Sequence, residues 1–118
     1  MATLALVLTV LVALEHFYIL YLEIFAIDSA AAKRTFGLTD EFLKEPKVKV
    51  LFANQGLYNG FLASGILFGL FLEQNSVIYF FLSCVIIAAI YGAFSANRSI
   101  FIKQGLPAIL ALICQIAA

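Results

Sequence analysis

Four long stretches of this chain run almost without a charge, and short polar clusters separate them. The apolar stretches are residues 2–27, 48–72, 76–96 and 99–118. A helix needs about 20 residues to cross the hydrocarbon of a bilayer, and each stretch meets or nearly meets that length. The last starts least cleanly, because Lys103 and Pro107 interrupt it. The pattern predicts an all-α fold, a four-helix transmembrane bundle that makes one domain of residues 1–118. Residues 4–14 resemble the core of a signal peptide, but no Lys or Arg precedes them and no small-x-small cleavage site follows. A retained helix is therefore expected.

Residues 28–47 form the sizeable connection. Thr39 is placed to cap a short helix, with Asp40 and Glu41 in its first turn and Pro46 shortly after its end. Phe42 and Leu43 give that helix an apolar side, so it reads as a short amphipathic cytoplasmic helix on the membrane surface. A solvated linker is the alternative.

Composition supports the membrane reading. The chain is 64% hydrophobic and 12% charged, where soluble domains carry about 25% charged residues. Its apolar surface must face lipid, so the bilayer is the first partner. A net charge of zero gives no support for a nucleic-acid partner. All seven Lys and Arg residues (Lys33, Arg34, Lys44, Lys47, Lys49, Arg98, Lys103) lie in or beside the first and third connections, and residues 73–75 have none. The positive-inside rule then makes connections 28–47 and 97–98 cytoplasmic and puts both termini outside a cell membrane.

Polar residues inside the apolar stretches carry the candidate chemistry. The first span holds Glu15, His16 and Glu23. At about 100° per residue these three share one face. Ionisable groups within a bilayer are costly unless paired or hydrated, so they turn inward and mark function. In the second span Asn54, Gln55, Tyr58 and Asn59 fall within about 140° of arc. Gly56 and Gly60 occupy much of the other side, where a neighbouring backbone could come close. Counting depth from the cytoplasmic ends puts Glu23 level with Asn54, and His16 level with Asn59. In the third span Cys84, Ala88, Tyr91 and Ser95 form one stripe, with Tyr91 and Ser95 at the level of Glu23. The expected site thus has Glu15, His16 and Glu23 as catalytic groups. Asn54, Gln55, Tyr58, Asn59, Tyr91 and Ser95 would bind a ligand. The plainer reading is that the amides and phenols only hydrogen-bond helices together.

No metal or other cofactor is expected. His16 is the single histidine, and seven residues separate it from Glu23, about 10.5 Å along a helix. The Glu-x-x-His spacing of bundle metal sites is absent. Cys84 and Cys114 sit in apolar runs without a CxxC and read as small packing residues. Phe52-x-x-Gln55-Gly56-Leu57 recurs as Phe101-x-x-Gln104-Gly105-Leu106, which fits either a duplicated hairpin or coincidence in so apolar a chain.

The runs VALEHFYILYLEIFA in the first span and NQGLYNGFLA in the second resemble a widespread family of small bacterial membrane proteins, domain of unknown function 1304. The resemblance covers nearly the whole chain and implies four membrane spans, with no particular activity attached. Three functions stay open on the residues. A membrane-embedded site could bind or act on a lipophilic small molecule with proton exchange. A proton-coupled transporter of small solutes could use Glu15 or Glu23, and with four spans it would need a homodimer. A structural subunit without chemistry would tolerate neutral residues at Glu15 and Glu23.

Overall fold

A computed structural model describes residues 2–95 and 98–118. They are helical, with no strand among them. The helices are α1 (Ala2–Phe25), α2 (Ala30–Phe36), α3 (Asp40–Leu43), α4 (Pro46–Leu72), α5 (Asn75–Ser95) and α6 (Phe101–Ala117). Three of them, α1, α4 and α5, are long and apolar enough to cross a bilayer. The shorter α6 has 17 residues, about 26 Å at 1.5 Å per residue. The end of the expected third span at residue 96, and residue 97 of the third connection, lie outside the described residues.

The chain divides into two compact units. The first joins Met1–Glu15 to Leu62–Ala118. Its core is aliphatic, with Ile66, Leu82, Val85, Ala108 and Ala111 fully buried. Glycine allows the α4–α5 hairpin to close tightly. A Cβ on Gly69 would stand 3.0 Å from the backbone nitrogen of Ile78, and one on Gly65 would overlap the Phe81 ring. Glu73, left-handed at φ 55°, makes the turn between them. Pro107 sits at the start of the regular part of α6. The turn before it, Phe101–Gly105, is widened, and the Leu106 amide bonds back five residues to Phe101. A proline ring clashes with the carbonyl four residues earlier, and a wide turn moves that carbonyl away.

The second unit, His16–Phe61, contains the end of α1, the whole first connection and the first half of α4. Its connection folds into α2 and α3, each with its own cap. Ser29 Oγ accepts from the Ala32 amide at 3.1 Å, and Thr39 Oγ1 accepts from Phe42 at 3.1 Å. Gly37, at φ 67°, ends α2 in the left-handed conformation that glycine takes without penalty. The Leu38 amide then reaches back to the Lys33 carbonyl at 2.9 Å. Leu43 is buried with Ile27 and Val48, and Phe36, Leu38 and Phe52 pack around them. Phe42, by contrast, is exposed. The connection therefore carries a small core of its own, and its expected helix is a single turn. Pro46 opens α4, where the missing amide of a first-turn proline costs nothing.

Candidate functional site

The end of α1 departs from regular helix at Tyr21–Phe25, where the turn widens and the Ala26 amide bonds to Tyr21 O at 3.1 Å, five residues back. No proline explains this turn, and it holds the side chain of greatest chemical interest. Glu23 is 4% exposed. Asn59 Nδ2 on α4 donates to Glu23 Oε1 at 2.7 Å, and to its own helix at Gln55 O at 3.2 Å. Both hydrogens of the amide are thereby used, which fixes the direction in which Asn59 faces the carboxyl group.

Glycine brings the two helices this close. A Cβ on Gly56 would lie 2.8 Å from Ile24 Cγ1 and 3.1 Å from Glu23 Cβ. One on Gly60 would lie 2.5 Å from Leu20 Cδ1. The smooth face of α4 thus receives the Leu20 and Ile24 side chains of the same chain, where a neighbouring backbone was expected. These two contacts set the antiparallel register. They place Glu23 about one turn further along α4 than the depth count did, which is why it meets Asn59 and not Asn54. Hydrophobic runs end gradually, and counting from their ends cannot locate a register.

Beside Glu23 lies a cleft of about 560 Å³, bordered by Phe25, Ile27, Asp28, Lys49 and Ala53 among others. Ser29 holds the loop that lines it, donating to Ala26 O at 2.6 Å. Lys49 Nζ pairs with Asp28 Oδ2 at 3.0 Å across the lining. A second pair, Lys33 with Asp40, ties α2 to the start of α3. The hydrogen bond from Lys33, then its charge, holds the exposed Asp40 carboxyl below its ordinary range. The cleft combines one buried carboxyl group with an apolar wall and a charged pair. That set can hold a small amphiphile by its apolar part and take a proton, a hydrogen bond or a cation at Glu23.

The other expected site residues are spread out. His16 is 1% exposed and sits two turns before Glu23 on α1. Glu15, in the first unit, is half-buried. Asn54 and Gln55 are exposed, and Tyr58 is 59% exposed with its ring edge-on to Phe61 at 5.7 Å. Tyr91 is 73% exposed, and the exposed Ser95 donates to Tyr91 O on its own helix at 2.8 Å. Within the second unit the structure joins Glu23 to Asn59. It turns Asn54, Gln55 and Tyr58 outward. Among the described residues, no three of His, Cys, Asp and Glu converge as metal ligands would. Both cysteines are free.

A polar node in the first unit escaped the sequence reading. Gln115 Nε2 donates to Thr9 Oγ1 at 2.8 Å, and the fully buried Thr9 donates to Ala5 O at 2.7 Å. Tyr79 OH reaches Gln115 O at 3.5 Å. This ties α1, α5 and α6 together. The available signal was Gln115, a single polar residue in the apolar run that follows Pro107.

A family model described as "Protein of unknown function (DUF1304)" matches residues 10–116. An "Uncharacterized protein YpaA" of Lactococcus lactis subsp. lactis (strain IL1403) is 42% identical over 115 residues, covering 96% of this chain and 97% of that protein. An "Uncharacterized protein" of Haemophilus influenzae (strain ATCC 51907 / DSM 11121 / KW20 / Rd) is 51% identical over 49 residues, covering 36% of this chain and 62% of that one. No solved structure matches.

Proposed function

The chain belongs to the family described as Protein of unknown function (DUF1304), and from that premise we propose that it is a four-span membrane domain that binds a lipophilic small molecule in the cleft beside Glu23. The observation that carries this reading is a buried carboxyl group, fixed by Asn59, opening onto a ligand-sized space. Small-molecule sites are concave and mostly apolar, with a few placed polar groups. An ionisable residue inside a membrane segment serves a substrate or a proton more often than it serves folding. Glu23 would exchange a proton with the ligand or accept its hydrogen bond. His16, two turns deeper on α1, is the nearest expected titratable group on that helix to pass a proton on. In this reading the Lys- and Arg-bearing connections face the cytoplasm, so the cleft opens at the headgroup level of that leaflet.

The test is retention of small molecules. Protein purified in detergent should carry a lipophilic compound, detected in a solvent extract by mass spectrometry. Ala53→Trp fills the cleft and should lose it, and Glu23→Gln should reduce it. Extracts that do not differ among the three proteins would end the proposal. Proton-driven uptake of a water-soluble solute by proteoliposomes would point to coupled transport instead.

A further inference from the structure

The polar groups that the cleft does not use lie on one outward stripe of α4. Asn54, Leu57, Tyr58 and Phe61 are all exposed. At 100° per residue they fall within an arc of about 100°, with Gln55 on its flank. The Asn54 and Gln55 side chains make no hydrogen bond to another described residue. Asn54 stands five residues past Lys49, about 7.5 Å along the axis, and Tyr58 about 13.5 Å. In a membrane span both lie within the hydrocarbon, whose core is about 30 Å thick. Lipid tails offer an amide no partner, so this stripe requires a cover.

A second copy of the chain fits it. A primary amide is both donor and acceptor, so it is complementary to itself. Two copies inserted with the same orientation present α4 in parallel, and a twofold axis along the membrane normal brings identical residues together at equal depth. Leu57 and Phe61 then make an apolar seam with a single amide in it. One asparagine in a helix seam is a known device for setting register and partner number. The opposite face of α4 is not available for this, because Leu20 and Ile24 of the same chain already fill Gly56 and Gly60. We infer that the outward stripe of α4 is the interface of a parallel homodimer, with Asn54 of the two copies hydrogen-bonded across the axis. The inference uses the membrane reading but not the Glu23 cleft.

The full chain, reconstituted in phosphatidylcholine vesicles, tests it in two ways. With Cys84→Ala and Cys114→Ala in place, Leu57→Cys should cross-link to a dimer under mild oxidation, and Phe80→Cys, exposed on α5, should not. Separately, with the native cysteines kept, single-molecule photobleaching should show dimers. Asn54→Leu should weaken them at least about fivefold, and Asn54→Gln should keep them. Equal cross-linking at positions 57 and 80 would overturn the inference. So would a monomeric native chain, unaltered dimerisation in Asn54→Leu, or a lipid bound over the stripe of a monomer.

Discussion

Asn59 spends one amide hydrogen on Glu23 and the other on its own helix, so Glu23 and Asn59 form a pair whose members cannot be removed independently. Glu23→Gln keeps an acceptor of the same shape and should leave thermal stability in detergent close to the parent's. Glu23→Leu orphans the amide hydrogen, and a buried unpaired group costs about 1–3 kcal/mol. Thermal melts showing the two variants equally stable would remove this pairing. The burial of Glu23 and His16 was legible in the sequence, because a charge in an apolar span has nowhere else to go. Its partner was not legible. Asn54, Gln55 and Asn59 are alike in chemistry, and only the seating of Ile24 and Leu20 on the two glycines decides which of them faces inward.

At the scale of elements, Gly56 and Gly60 look equivalent in sequence and differ in surroundings. A methyl group at Gly60 meets the tip of Leu20, which can swing aside; one at Gly56 meets Glu23 Cβ and the branch of Ile24, which cannot. Alanine gains about 1 kcal/mol over glycine in a helix interior, while overpacking costs about 1–3 kcal/mol. Gly60→Ala should therefore be close to neutral, and Gly56→Ala should destabilise by about 1–2 kcal/mol. Melting both variants in one detergent checks the order. The long helices and the Thr39 cap were legible, because hydropathy and capping chemistry are local. Helix α2 was not expected although Ser29 and Gly37 bracket it, because its seven residues are too few to show a hydropathy pattern. The Phe-x-x-Gln-Gly-Leu echo also gains content. A Cβ on Gly56 would lie 3.1 Å from Glu23 Cβ, and one on Gly105 would lie 3.1 Å from Ala89 Cβ. Where the first hairpin carries a carboxyl group, the second carries a methyl.

For the whole molecule, the proposed arrangement in the membrane rests on the apolar spans and on the complete asymmetry of Lys and Arg. With four spans and a cytoplasmic first connection, Lys44→Cys should resist a membrane-impermeant thiol reagent in intact cells, and Gln74→Cys should react. Labelling of position 44 from outside would reverse the topology. Helices α1, α4 and α5 are long and apolar enough to cross a hydrocarbon core of about 30 Å. The 17 residues of α6 sit at the margin, so its crossing depends on how the wide turn at Phe101–Gly105 meets the interface.

The wide turn at Tyr21–Phe25 has a consequence for how this chain can vary. Such a turn amounts to an α-helix with one residue added, and the flanks on either side stay in phase. Losing one residue there would restore a regular helix and leave His16 and Ile27 facing as they do. Losing one residue at Val12 would swing one part of the helix by about 100° relative to the other. Chain length is thus free to change by one at the position that presents Glu23. A single deleted codon there would keep the helix in phase and misplace the Glu23 carboxyl group, so the proposed binding would be lost without loss of the fold.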